Sequence, residues 1–148
     1  MQIDFDPGAN PLNNNEWAFP LLECIHISMF AMSIGTIAMV DLRILGLAKK
    51  HQKPSQLLKD TWTWTLVGLV IVIMSGITIF TTDPLRYYYN WSFRYKVIAL
   101  TLAVIYHYTI RNRVAASDSE SFGAKLVALF SLLLWISIVF AGLFYAFT

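Results

Sequence analysis

Charged residues are scarce in this chain of 148 residues, and their scarcity excludes an ordinary soluble domain. They account for 14% of the sequence, whereas soluble domains average about 25%. Hydrophobic residues account for 57%, the mean hydropathy is +0.56, and the apolar residues are grouped in long blocks. We therefore interpret residues 1–148 as a single transmembrane domain.

Cysteine is nearly absent as well. The chain has one, Cys24, so an intramolecular disulfide is excluded. Two residues along a helix correspond to a rotation of about 200°, so Cys24 and His26 point to opposite sides and do not chelate a metal together. We interpret Cys24 as a small buried apolar residue.

The N-terminal residues 1–16 are acidic and rich in turn-forming residues, and they contain no lysine or arginine. A cleaved signal peptide would begin with a basic segment and end at a small-residue cleavage site. Neither feature is present, so we expect the first span to be retained.

The chain also has no phosphate-binding loop, nucleic-acid signature or nucleophile–base pair, so a nucleic-acid partner and a self-contained enzyme are not expected.

Four apolar segments are candidates for crossing a bilayer, which takes about 20 residues. The third is the weakest, because only residues 97–110 are free of charge. Arg94 and Lys96 must then lie in its outer turns and extend toward the headgroups. The sequence therefore predicts an all-α integral membrane four-helix bundle, with spans at residues 17–40, 62–80, 91–110 and 126–147.

Basic residues are distributed unevenly between the loops. Of the eleven lysines and arginines, eight follow spans one and three, Arg111 and Arg113 among them, and three follow span two. Loops rich in basic residues remain in the cytoplasm. This asymmetry predicts that both termini lie on the non-cytoplasmic side.

One face of the first span is polar, although the span is otherwise apolar. His26 lies about 60° from Glu23 around the helix, and Asp41 lies directly below Glu23 after five turns. Ionisable groups at membrane depth usually face a bundle interior or a cavity. We therefore predict an intramembrane polar network, whose further members are Ser33, Arg43 and Lys96.

Glu23 and Lys96 are expected to lie at similar depths, because they follow Trp17 and Trp91 by six and five residues. An isolated buried carboxylate or lysine would lose its charge, whereas a pair can keep both charges. We expect Glu23 to point into the bundle and contact Lys96. Such a pair either shapes an outward-facing site or simply ties two helices together; alternatively, Lys96 extends to the headgroups alone.

Ala99, Ala103 and His107 form one stripe on the third span, because they are four residues apart. The alanines leave a groove that suits either close helix packing or a flat cofactor. We expect His26 and His107 to contact that cofactor, with haem b the leading candidate and the histidines as ligands of its iron. Their depths differ by about 10 Å, so one haem held by both requires a deeper first span. Otherwise the histidines belong to separate sites, or each finds its second ligand in another subunit. A proton relay or a hydrogen bond to quinone is the alternative role for His26.

Two motifs resemble an uncharacterised family of small four-span bacterial inner-membrane proteins. They are Glu23-x-x-His26 and Asp41-Leu42-Arg43-x-Leu45-Gly46, accompanied by Gly35 and by Lys96 early in span three. The resemblance covers most of the chain and implies a multi-pass protein of the bacterial inner (plasma) membrane, without implying an activity. The arrangement of four helices with histidines on the first and third is also similar to small membrane b-type cytochromes.

Three functions are compatible with these features. The first is a redox-associated subunit of an electron-transfer system, using haem b or quinone. The second is a non-catalytic subunit that anchors or stabilises a larger membrane complex, and the third is a proton or small-solute pathway along Glu23, His26 and Asp41. The expected partners are membrane lipid and either other membrane subunits or further copies of the chain.

Overall fold

The computed structural model describes residues 6–145 and residue 147, and within them the fold consists of helices and turns without strands. Three of the helices described, Ala18–Ile44, Pro54–Phe80 and Phe122–Tyr145, are long and apolar enough to cross a membrane. This confirms a helical, multi-pass membrane protein. Residues 1–5 of the N-terminal segment and residues 146 and 148 at the other end lie outside the described part. The helices are α1 (Ala18–Ile44), α2 (Pro54–Phe80), α3 (Pro84–Tyr89), α4 (Trp91–Tyr106), α5 (Asn112–Ala116) and α6 (Phe122–Tyr145).

The first helix extends beyond the predicted end at residue 40 and includes Asp41 and Arg43. It ends at Ile44, and Gly46, two residues later, has a φ of 78° in the left-handed region that glycine adopts without strain. The Gly46 N–H donates to the Arg43 carbonyl at 3.0 Å, and the Leu47 N–H donates to the Leu42 carbonyl at 2.9 Å. These two bonds satisfy carbonyls that the helix end would otherwise leave unpaired.

The second helix begins at Pro54, eight residues before the predicted start, and an aspartate from another loop caps it. Both the N–H and the hydroxyl of Ser55 donate to the Asp118 carboxylate at 2.8 Å. These hydrogen bonds hold the pKa of Asp118 below its usual range, because they stabilise the ionised form. The loops after α1 and after α5 therefore meet at one end of the molecule.

The third predicted span does not end at residue 110. After α4 the backbone continues through a π-helical turn, His107–Arg111, directly into α5. Residues 91–116 thus form one helical run of roughly 39 Å. Arg111 and Arg113, which were expected in a loop, lie on this helical run, and this difference determines the structure of the candidate site.

The N-terminal segment is fastened to the opposite end of the molecule. Asn10 Nδ2 donates to the Thr81 carbonyl and Asn13 Nδ2 to the Thr82 carbonyl, both at 2.9 Å. These bonds place the segment before α1 beside the turn that follows α2.

Small residues allow the helices to pack closely. α1 packs against α2 and α6, and α4 packs against α6. Thr36 on α1 and Thr65 on α2 share a hydrogen bond of 2.7 Å, and Gly68 lies one turn further along α2. Among the described residues, two buried clusters fill the interior. The first is Ile37, Leu69, Ala99, Ala103, Trp135 and Ile138, and the second is Val40, Ile44, Leu57, Ala115, Ala124 and Ala128.

Replacing Gly68 with alanine tests the α1–α2 contact. The added Cβ would overlap Ser33 Oγ and lie 3.2 Å from the Met29 carbonyl oxygen, whereas a Cβ at Gly35 meets nothing within 4 Å. Overpacking costs about 1–3 kcal/mol, which exceeds the roughly 1 kcal/mol that alanine gains over glycine in a helix. We expect Gly68→Ala to lower the free energy of unfolding in detergent and Gly35→Ala to leave it equal or higher. Equal stability of the two variants would contradict this contact.

Candidate functional site

Asp41 and Arg111 form a buried ion pair between α1 and the π-helical turn. Arg111 Nε lies 2.7 Å from Asp41 Oδ1, and the exposed fractions of the two side chains are 1% and 0%. A buried pair is tolerated only when the remaining polar atoms of both groups also find partners. The rest of this site must therefore supply those partners.

The remaining atoms of the pair are bonded to three neighbouring residues. Ser131 on α6 donates its hydroxyl to Asp41 Oδ2 at 2.6 Å. Arg111 Nη2 donates to the Ile37 carbonyl at 2.7 Å, and Nη1 donates to Asn112 Oδ1 at 3.0 Å. We call these five residues the Asp41 network; it ties α1, α6 and the helical run 91–116 together.

Sequence reasoning identified Asp41 but missed Arg111 and Ser131. Arg111 was treated as a loop residue that sets the topology, because the third apolar segment ends at residue 110. Spans one and three run in the same direction, and Asp41 and Arg111 both lie near their final turns. Two opposite charges, each near the end of one of two helices that run in the same direction, are the signal that could have identified this pair.

A second polar group lies toward the other end of α1. His26 Nδ1 is 2.8 Å from Ser75 Oγ on α2. Because Ser75 Oγ also donates to the Ile71 carbonyl at 2.6 Å, its single hydrogen is used, and His26 Nδ1 is assigned as the donor. That tautomer leaves a lone pair on Nε2 of the neutral ring.

Lys96 and this histidine share a neighbour, Phe30. The His26 ring stacks on Phe30 with centroids 6.5 Å apart, and Lys96 Nζ lies 5.6 Å from the centroid of the same Phe30 ring. His26 and Lys96 are both half-buried, and within residues 6–145 Lys96 forms no ion pair with a carboxylate. We call His26, Phe30, Ser75 and Lys96 the His26–Lys96 cluster.

The predicted contact between Glu23 and Lys96 is wrong. Glu23 is exposed on the outer surface of α1, and Lys96 lies beside Phe30, seven residues further along. Seven residues correspond to about 10 Å, so Trp17 and Trp91 do not mark the same depth. Cys24 is also exposed, which corrects its interpretation as a buried residue.

The histidines lie in separate places, so one haem cannot be held between them. His107 is buried against Trp135 of α6, with centroids 6.4 Å apart, whereas His26 faces α2. Lys96 lies level with Phe30. His26 precedes Phe30 by four residues and His107 follows Lys96 by eleven, so the helical rise separates the depths of the two histidines by about 22 Å. In the described residues no group of three or more His, Cys, Asp or Glu could hold a metal ion.

The alanine stripe is a packing surface, which decides between the two interpretations left open by the sequence. Ala99 and Ala103 are buried in the first cluster together with Trp135, so the expected groove is filled by side chains. The stripe provides no space for a flat cofactor.

Two further members of the predicted network lie outside it. Ser33 is buried against Gly68, and its hydroxyl has no hydrogen-bond partner in the described part of the chain. Arg43 donates Nε to the Gln52 carbonyl and lies 3.7 Å from Glu120. The predicted polar residues therefore form several local groups instead of one continuous network.

Comparison with known proteins identifies the family. The profile of a family of unknown function, DUF6644, matches residues 19–148. The chain belongs to this family. No curated protein and no solved structure matches the chain. The membership agrees with the expected resemblance to an uncharacterised family, and the function has to be argued from the residues themselves.

The Asp41 network is expected to dominate stability. Removing one member of a buried pair typically costs about 3–5 kcal/mol, because the other charge is left unpaired. We therefore expect large losses for Asp41→Asn and Arg111→Met in detergent unfolding titrations. Glu120→Gln is the control, since its carboxylate is 75% exposed and exposed pairs contribute less than about 1 kcal/mol.

The double variant completes this test. Once either partner is gone, removing the other should cost little more, so the two losses should not add. Additive losses would show that Asp41 and Arg111 do not interact.

Proposed function

We propose that this chain is a four-span protein of the bacterial inner membrane and a redox-associated subunit that handles quinone in an electron-transfer system. The helical run 91–116 serves as the additional span, because its length of roughly 39 Å exceeds a hydrocarbon core of about 30 Å. Eight of the eleven basic residues lie at the end of the molecule where α1 and α5 end and where α2 and α6 begin, and this excess supports a non-cytoplasmic position for both termini.

Labelling of introduced cysteines tests this topology. Cys24 is exposed, so it is first replaced by alanine to remove the background reaction. A membrane-impermeant maleimide added outside the cell should then react with Asn14→Cys and spare Gln52→Cys until the membrane is permeabilised. The reverse pattern would overturn the proposed orientation.

The observation that carries the quinone proposal is the composition of the His26–Lys96 cluster. Lys96 Nζ supplies hydrogen-bond donors for a quinone carbonyl, and the Nε2 lone pair of His26 can accept from a quinol hydroxyl. Phe30 is close to both groups and adds an aromatic surface against which a flat headgroup can pack. A lone lysine at membrane depth without a carboxylate partner is costly, and such residues usually serve a function.

Glycines keep bulk away from both polar groups. A Cβ at Gly76 of α2 would lie 3.3 Å from His26 Cε1, and a Cβ at Gly142 of α6 would lie 3.5 Å from Lys96 Nζ. Both polar side chains are only half-buried, so a lipid-soluble ligand can reach them from the bilayer. These features support quinone over haem b, whose expected groove and paired histidines are absent from the described residues.

Binding of ubiquinone-1 and menadione to the full chain in nanodiscs tests the proposal. We expect Lys96→Met and His26→Ala each to weaken binding about tenfold, the loss that corresponds to roughly 1.4 kcal/mol of hydrogen bonding. Lys59→Met and His51→Ala are matched controls, because they change the same residue types at exposed loop or helix-end positions and should bind like the wild type. Unchanged affinity in both cluster variants, or no binding by the wild type, would contradict the proposal.

A non-catalytic role in a larger complex is the second candidate. It is favoured by the Asp41 network, whose charges are satisfied within the chain, and by the many large apolar side chains on the outer helix faces. Such faces fit membrane lipid, other membrane subunits or further copies of the chain. Absence of quinone binding together with stoichiometric co-purification of a membrane protein would favour this role.

A further inference from the structure

A separate cavity lies where α1 ends and α6 begins, at the end of the molecule that carries most of the basic residues. Its volume is about 300 Å³. It is remote from the His26–Lys96 cluster, which contacts the opposite half of α1. Its lining residues are Arg43, Ile44, Gly46, Lys50, Glu120 and Lys125.

The lining of this cavity is positively charged. It contains three cationic side chains and one carboxylate. Arg43 is fixed in place, because its Nε donates to the Gln52 carbonyl and its side chain is only 11% exposed. Lys50 and Lys125 are exposed, so they can adjust around a ligand. The fixed guanidinium with two adjustable ammonium groups suits a phosphate.

Exposed apolar side chains are close neighbours in sequence of the residues that line the cavity. Leu47 follows the glycine at the end of α1, and Phe122 and Leu126 flank Lys125 on the first turns of α6; all three are exposed. A soluble phosphate would gain nothing from these side chains, whereas the acyl chains of a lipid would cover them. The position of the cavity at the ends of two membrane-spanning helices is also the level at which headgroups lie.

We infer that this cavity binds the phosphate of an anionic phospholipid headgroup, with the acyl chains lying along Leu47, Phe122 and Leu126. In this site Arg43 exchanges its contact with Glu120 for the lipid phosphate. That exchange requires little energy, because the Arg43–Glu120 distance is 3.7 Å and the Glu120 side chain is 75% exposed, and exposed ion pairs are weak. The inference does not depend on quinone binding.

Lipid retention by the purified full chain tests this site. The protein is exchanged into equal amounts of phosphatidylglycerol and phosphatidylcholine in detergent, and the retained lipid is measured by native mass spectrometry. We expect the wild type to retain phosphatidylglycerol preferentially, and the variant with Lys50→Gln and Lys125→Gln to lose about tenfold in retention. The control variant, Lys53→Gln with Lys59→Gln, removes two exposed lysines of the same region that do not line the cavity, and it should retain lipid like the wild type.

Two further arms define the ligand. Glu120→Gln removes the competing carboxylate, so it should increase retention of phosphatidylglycerol. Glycerol 3-phosphate at equal concentration should not displace the lipid, because it lacks acyl chains. Equal retention by wild type and the Lys50/Lys125 variant, equal retention of the two lipids, or displacement by glycerol 3-phosphate would overturn the assignment to an anionic lipid.

Discussion

The fold depends on keeping one charged pair, Asp41 and Arg111, out of contact with lipid and water. Removing two charges from solvent is expensive, and their attraction offsets that cost only if every remaining polar atom is also bonded. Ser131, Asn112 and the Ile37 carbonyl meet this requirement. Because these partners come from different helices, the network fixes how the helical run 91–116 sits against α1 and α6.

The two polar regions of the molecule differ in a way that suits different roles. In the Asp41 network each charge has its counter-charge and the side chains are almost fully buried, which suits a structural tie. In the His26–Lys96 cluster a cation is half-buried beside a histidine, and the ion pairs of the described residues do not include it. Polar groups that are incompletely paired at membrane depth are the ones from which a binding function is reasonably inferred.

The sequence predicted the class of fold well, because runs of apolar residues are a strong signal and are read directly. It also identified Asp41, His26 and Lys96 as special. It failed on which residue contacts which, because pairing depends on the relative depth of helices. Trp17 and Trp91 were taken to lie at the same depth. Lys96 was therefore expected beside Glu23, about two helical turns from its actual neighbour Phe30. The charge-free segment ends at residue 110, so Arg111 was assigned to a loop, although the helix continues through the π-helical turn that contains it.

Hydrogen–deuterium exchange of the chain in nanodiscs tests most directly whether the buried pair holds this helical run in place. In the wild type the amides of residues 107–116 should be protected from exchange to a degree similar to the amides of α6. In Arg111→Met this protection should fall while that of residues 69–80 in α2 is maintained, since those residues lie outside the Asp41 network. Rapid exchange of residues 107–116 in the wild type, at the rate of an exposed loop, would contradict the account.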